Sequence, residues 1–459
     1  MFNKTIAIAF LTVRTAIRSR FFISLMAILL VTIIGLPMTV KGDGTLMGQV
    51  KVLLYYTLSL TAIILGVATL WTSCGAISQE IEDRQIHLVV VKPVHRFQVW
   101  LGKWLGLLVM NAVFLCLAGS VTYALLCWNI RSSRTNEEES SVLYEEILVG
   151  RRLIRPHSES VEKEARDRLK QLLEEGKIRD DASEEIAFSV IRRMLIAEKS
   201  AVAPGDSKCW VFDRLPRVRN NAPITMRFRF LSSARDPKPV TGVWSVGTKQ
   251  NPDIFRFTAD NYLEEVRQFS IPAIILASRQ SVIVKYTNSG QENSHTVVFD
   301  PESAVELLIR ESGFETNLVR ALLVILCHLA LIAALGLTAG TLFSFPVATF
   351  AAPSILAISM MVHFFALTSS SDIAYEHHHH GVKPEAGAFR IACEKTIKRV
   401  DVVVEPAMQI DSLGPLSEGL LISWHSVGRA VLLVAGIYPS VLGLVSAFFF
   451  KRRELALPG

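Results

Sequence analysis

The chain has 459 residues, 50% of them hydrophobic and 20% charged, with a formal net charge of +6. The basic excess sits beside long apolar runs rather than in a basic surface interleaved with aromatic residues, which argues against a nucleic-acid partner. The mean hydropathy of +0.36 is only a prior, because a large soluble core raises it too, so the weight falls on how the apolar residues are distributed.

Residues 4–20 carry Ile6, Phe10, Val13 and Ile17 at helical spacing, with Arg14, Arg18 and Arg20 elsewhere on the wheel. This predicts an amphipathic cytoplasmic or interfacial helix over 1–20, or a cytoplasmic extension of the first span. The runs Phe21 to Val40, Val52 to Ala76, Trp104 to Trp128 and Val431 to Phe450 then contain no Asp, Glu, Lys or Arg. Each is long enough to cross a hydrocarbon layer of about 30 Å as a helix. Two more spans are expected between 318 and 367, roughly Leu322 to Gly340 and Thr341 to Leu367. Their helices are expected to break at Gly336 and Gly340 and to be interrupted at Pro346 and Pro353. The expected fold is therefore an α-helical membrane protein of six transmembrane helices, with transmembrane helices 1–3 inside 21–128, helices 4–5 inside 318–367 and helix 6 at 430–450. The apolar run after Arg20 is too long for the core of a cleaved signal peptide, so the first helix is expected to stay in the mature chain.

Lys4, Arg14, Arg18 and Arg20 precede the first run, and Lys451, Arg452 and Arg453 follow the last. With an even number of crossings both termini share a side, and the excess of Lys and Arg makes it cytoplasmic, including the tail 451–459. The expected location is the cell (cytoplasmic or inner) membrane, with lipids as surroundings. Two insertions then lie outside: 129–317, and the loop 368–429.

Within the first insertion, 137–200 reads as charged helix, with opposite charges three and four apart across Glu162 to Lys170. Over 208–310 the period changes to two. Trp210 to Phe212, Ile224 to Phe230, Thr241 to Trp244, Ile254 to Thr258, Ser281 to Tyr286 and Thr296 to Phe299 read as short strands. The insertion is thus expected to be an extracytoplasmic α+β domain containing a β-sandwich. Its exposed face suits a ligand or a protein partner equally.

The second outer segment contains His377, His378, His379 and His380, which either bind a metal or form a polar loop; no Cys or patterned carboxylate nearby completes a site. Cys209 and Cys393 are the cysteines well inside the outer segments, and an oxidising compartment would allow them to pair. No phosphate loop, His-Glu-x-x-His, Gly-x-Ser-x-Gly or Cys-x-x-Cys pattern occurs, so no catalytic group is assigned and an enzyme is not expected. The apolar runs also lack the acids that ion-coupled pumps use, His328 and His363 being the nearest exceptions.

The cytoplasmic loop 78–98 starts acidic at Glu80, Glu82 and Asp83, turns apolar from Leu88 to Val91, and becomes basic around Pro93 with Lys92, Arg96 and Lys103. An apolar strip in a short loop needs a docked partner or the membrane interface. The stretch Glu80 to Lys103 resembles the loop after the second span in type-2 ATP-binding-cassette (ABC-2) export permeases, as does the end at Phe450 to Leu455. The sequence departs from the commonest pattern at Arg84-Gln85, where many members carry Gly-Thr. That resemblance implies a permease lacking its own ATPase, working with a cytoplasmic ABC ATPase that binds ATP and Mg, and with a second permease chain as homo- or heterodimer. It places Glu80, Glu82, Asp83, Arg84, Lys92, Pro93 and Arg96 on the coupling segment. The alternative is a non-transporting membrane scaffold or sensor whose outer β-domain binds a ligand or partner.

Overall fold

The computed structural model describes residues 2–18, 20–39, 45–82, 95–132, 137–156, 161–175, 184–213, 215–216, 224–232, 240–248, 251, 253–261, 266–272, 281–289, 296–299, 305–372 and 388–452. The chain begins with α1 (Phe2–Arg18), α2 (Arg20–Thr39), α3 (Leu46–Glu82), α4 (Arg96–Ser132) and α5 (Glu137–Glu146). There follow β1 (Val149–Ile154), α6 (Val161–Glu174), α7 (Glu184–Ser200), β2 (Ala201–Val202), β3 (Ser207–Phe212), β4 (Ile224–Phe228) and β5 (Phe230–Ser232). Next come β6 (Val240–Thr248), β7 (Phe255–Asn261), β8 (Arg267–Ile271), β9 (Val282–Asn288), β10 (Val297–Phe299) and β11 (Val305–Gly313). The chain closes with α8 (Phe314–Leu342), α9 (Phe345–Asp372), α10 (Ala388–Met408), α11 (Leu413–Ser417), α12 (Trp424–Arg429), a π-helical segment (Ala430–Ile437) and α13 (Tyr438–Arg452). These elements form two units, one of residues Met1–Leu148 with Gly313–Gly459, the other of Val149–Ser312.

In the helical unit, five helices among the described residues are long and apolar enough to cross a membrane: α3, α4, α8, α9 and the continuous stretch Trp424–Phe449. The protein is a multi-span helical membrane protein. The shorter apolar stretch Ser24–Gly35 belongs to α2. Lipid tails are as apolar as leucine, so these helices are held by close contact and hydrogen bonds rather than by hydrophobic burial. The tightest contact joins α3 and α8, which run in the same direction. A Cβ on Gly336 would stand 1.9 Å from Ser73 Oγ, and one on Gly340 would stand 2.4 Å from the Cys74 carbonyl oxygen.

That contact corrects the expected helix break. The α8 helix runs unbroken through Gly336 and Gly340, because the two residues lie four apart on one face and serve as the flat surface on which α3 rests. The turn comes later, at Phe343 and Ser344, and Pro346 follows in the first turn of α9, where a missing N–H costs nothing. Pro353 lies inside α9, which continues past it as helix.

Hydrogen bonds tie the other spans to this pair. Thr69 Oγ1 donates to Asn111 Oδ1 of α4 at 2.9 Å, and Trp104 Nε1 donates to the Ala330 carbonyl at 2.8 Å. Thr341 and Ser446 hydroxyls meet at 2.9 Å between α8 and α13. The α1 helix packs lengthwise on α4: a Cβ on Gly102 would be 2.8 Å from Ile8, and one on Gly106 would be 2.8 Å from Thr12. The α9 helix is different, with 11% of its most apolar stretch buried within this chain against 44–56% for α3, α4 and α8.

In the Val149–Ser312 unit, strands run through each of the six alternating stretches, and β1, β2, β8 and β11 are additional. Among the described residues three sheets form, ordered β1-β11-β4-β8, β2-β10-β5 and β3-β9-β6-β7. Their inner residues meet in one apolar core around Trp244, which is fully buried. Its ring lies 4.3 Å from Phe228, 4.8 Å from Tyr286 and 6.1 Å from Trp210, measured between centroids. Tyr286 covers the space above Gly242, where a Cβ would come within 2.2 Å of the ring. On the other face of the first sheet, Glu306 is buried and accepts from Arg227 at 2.6 Å and from Arg155 at 3.3 Å. The hairpin of α6 and α7 has its own small core of Ala165, Leu169, Ile191 and Leu195.

Two outcomes test these contacts. Gly340→Ala drives a methyl into α3 backbone that cannot rotate away, and should destabilise the protein by about 2 kcal/mol. Thermal melting in detergent should register the loss, whereas Gly428→Ala, with nothing within 4 Å, should melt like the wild type. Separately, Lys208 on β3 donates to the Lys199 carbonyl and lies over the rings of Trp210 and Phe299. Burial pushes its ammonium down to about 8. At pH 8 it holds on the order of a hundredfold more free base than an ordinary lysine. Mass spectrometry after brief amine acylation should therefore find Lys208 modified ahead of exposed Lys170.

Candidate functional site

Residues 83–94, which include Asp83, Arg84, Lys92 and Pro93, lie outside the described residues. The helices that lead into and out of this segment are described, and they form a built frame. At the exit of α3, Ser78 Oγ donates to the Cys74 carbonyl at 2.7 Å. Half a turn on, Glu80 Oε1 meets Lys103 Nζ of α4 at 2.5 Å, and the same ammonium donates to the Ala76 carbonyl at 2.8 Å. The Lys103 side chain is 7% exposed and that of Glu80 33%. A lysine this deep is tolerable only with a carboxylate and a carbonyl to replace its hydration, and both come from the last turns of α3.

Glu82, though exposed, is engaged as well. Its Oε1 accepts the backbone N–H of Phe345 at 3.0 Å, at the start of α9. The first N–H groups of a helix have no partner within it, and a carboxylate there also complements the helix dipole. The Phe345 ring meets Trp71 edge-on at 5.4 Å and fills the space in front of Gly75. The last turn of α3 thus grips two elements, α4 through Glu80 and α9 through Glu82.

The re-entry into helix at α4 is capped locally. The N–H of His95 donates to Gln98 Oε1 at 3.2 Å while the N–H of Gln98 donates to the His95 carbonyl at 2.8 Å, which fixes the start of the helix. Arg96 is half-buried in the first turn. Trp100 stacks between Phe97 and Trp104, and its ring lies where a Cβ on Gly443 of α13 would fall. Gly102 and Gly106, on the adjoining turns, carry α1. The segment 83–94 therefore springs from a junction of α1, α3, α4, α9 and α13.

Of the residues assigned to the coupling segment, Glu80 and Glu82 form intramolecular bonds that hold this junction. Their partners are Lys103, which the sequence shows as part of the basic end of the segment without assigning it to coupling, and the Phe345 N–H, which residue patterns did not single out. Lys103 had a legible signal: a lone cation between Trp100 and Trp104 at the mouth of an apolar run. The Phe345 N–H had none, because backbone capping across 263 positions leaves no mark in composition.

The remaining candidates fall elsewhere. His377, His378, His379 and His380 lie outside the described residues, and no group of three potential metal ligands occurs among the described ones. Cys209 is exposed on β3, while the side chain of Cys393 is outside the described set.

Breaking the frame has a measurable signature. Glu80→Gln should cost about 1–3 kcal/mol, since it removes the countercharge of a nearly buried ammonium and leaves it only neutral acceptors. Lys103→Met in the Glu80→Gln background should cost less than the sum of the single changes, and melting of the four forms of this cycle gives the coupling directly.

No curated protein and no solved structure matches the chain. Residues 6–138, which run from α1 through α4 and include Glu80, Glu82 and Lys103, match the family described as ABC-2 family transporter protein.

Proposed function

We propose that this chain is the membrane-spanning permease subunit of an ATP-driven ABC-2 exporter. A separate cytoplasmic ATPase docks on residues 83–94 and holds the ATP and Mg. The observation that carries this reading is the frame around that segment, whose α3 and α4 sides lie within the stretch that matches the ABC-2 family. A loop that merely joined two spans would have no use for a buried ion pair at one foot and a helix cap at the other.

With α2 as a sixth crossing, both termini and the segment 83–94 share the cytoplasmic side, in keeping with their basic flanks. The Val149–Ser312 unit, which we read as a β-sandwich with a helical hairpin, is then extracytoplasmic. Closure of the ATPases on nucleotide displaces the docked segment. The Glu80–Lys103 pair makes α3 and α4 follow together, and Glu82 passes the displacement to the start of α9. The lightly buried α9, exposing Phe350, Ile355, Ile358 and Phe364, is the span with most surface to offer a second permease chain.

Affinity isolation from native membranes in mild detergent tests the reading. A polypeptide with a phosphate-loop ATPase should copurify, the complex should contain two copies of each chain, and it should hydrolyse ATP. Substituting Asp83, Arg84, Lys92 and Arg96 together by Ala should release the ATPase while the permease melts as before. Recovery of a folded permease with no ATPase, under conditions that keep its oligomer intact, would refute the proposal.

A further inference from the structure

The helix α10 lies in the stretch 368–429 that the sequence presents as an outer loop, and three polar contacts fasten it to three other elements. Asp401 Oδ1 is 2.9 Å from His363 Nδ1 of α9, each side chain being 17% exposed. Half a turn on, the Val403 carbonyl accepts from the Tyr438 hydroxyl of α13 at 2.7 Å. In the last turn, the Ala407 carbonyl faces His328 Nε2 of α8 at 3.0 Å. Ala407 is one of the final residues of α10, so its carbonyl lacks an intrahelical donor, and His328 caps the helix from outside.

The chemistry of His328 is informative. Its other ring nitrogen, Nδ1, lies 2.9 Å from the Val324 carbonyl. Carbonyl oxygens only accept, so both contacts are hydrogen bonds only when both ring nitrogens carry protons. A neutral imidazole makes one and turns a lone pair toward the other oxygen. The His363–Asp401 contact has the same preference, since an imidazolium gives the carboxylate a charge-assisted bond. An imidazolium at the end of α10 also complements its dipole.

The surroundings contribute little competing charge. Over Phe345–Ala366, α9 has no ionisable side chain besides His363. On α8, Glu315 is engaged by the Tyr123 hydroxyl, and Arg320 donates to the Ile422 carbonyl beneath the Trp424 ring. The last span brings Tyr438 to α10, while its His425 and Arg429 lie on α12. On α10 itself, Arg399 is exposed and Glu405 accepts from Gln409; Glu394, Lys395 and Lys398 lie outside the described side chains.

We propose that His328, His363 and Asp401 form a proton-binding site that seats α10 against α8 and α9 when both imidazoles are charged and releases it when they are neutral. The Tyr438 contact, which does not titrate in the histidine range, keeps the helix tethered in either state. The proposal is independent of transport and requires no ATPase.

Hydrogen exchange of the full chain in lipid nanodiscs, read by mass spectrometry and corrected for the intrinsic pH dependence of exchange, tests it. Peptides covering 396–408 should be protected about tenfold more at about pH 5.5 than at about pH 8, the range over which histidine changes charge. Peptides from the Trp244 core should not change. In the His328→Gln, His363→Gln double variant, glutamine amides donate at every pH, and the difference should vanish. Should that variant not fold, Asp401→Asn, which keeps an acceptor but removes the charge, should reduce the difference. Equal protection of 396–408 at the two pH values in the wild type overturns the proposal, as does a difference that persists in full in the double or the Asp401→Asn variant.

Discussion

At Gly336 and Gly340 two side chains are missing where α8 meets α3, and the backbones approach to a distance that any Cβ would forbid. Lipid supplies no hydrophobic drive for helices to associate, so a contact of this kind has to be made from dispersion at short range. Once α3 and α8 are fixed, the other partners of α8 are placed by hydrogen bonds to it. Trp104 holds α4, Thr338 and Thr341 reach the Leu442 carbonyl and Ser446 of α13, and Asn317 and Arg320 bind the backbone of Leu420 and Ile422. The α8 helix is the hub, and the α3 contact sets the height at which it stands.

The frame around residues 83–94 inherits that height. Cys74, whose carbonyl faces Gly340, sits one turn before Ser78 and less than two turns before Glu80, so the last turn of α3 is positioned by the glycine contact before any ion pair forms. The Glu80–Lys103 pair then contributes geometry more than stability. Desolvating an ammonium offsets much of the attraction to its carboxylate, and Glu80 remains a third exposed. What the pair fixes is the relation between α3 and α4 on either side of residues 83–94. Glu82 adds a link to α9, the span least held by its own chain. The frame thus joins two helices that are half-buried within this chain to one that is lightly buried.

The apolar runs were legible because a soluble fold rarely keeps twenty successive residues free of charge, whereas a helix in hydrocarbon has to. The alternating stretches from Trp210 to Phe299 were legible because a strand with one buried face imposes period two. The α8–α9 boundary was misread through a rule that belongs to water. Glycine weakens an isolated helix, whereas between membrane helices it permits contact, and the true turn was marked by Phe343-Ser344 followed by Pro346. The β11 strand escaped because Leu307 and Leu308 are both buried and Glu306 between apolar neighbours is buried with its arginines, which destroys the alternation. In β1, the pair Arg151-Arg152 hid a strand whose first arginine is buried and whose second is exposed.

Among the described residues, several charges near the membrane-spanning helices lie where one helix meets another. Lys103 marks the α3–α4 junction, Arg320 the start of α8, and His363 the contact with α10. A search for acids within the apolar runs passes over Asp401, because the residue belongs to no run: it is brought to His363 by a helix whose own charges, Glu394 to Arg399, make it look like a loop. The same holds for the carbonyl of Ala407, which becomes a partner for His328 only because α10 ends there. Ionisable groups on apolar helices therefore have to be sought in pairs formed across elements, where each half is unremarkable in its own segment. In this chain such pairs lie at the ends of α3 and α4 beside residues 83–94 and where α9 meets α10. The long apolar stretches between them carry no such pair among the described residues.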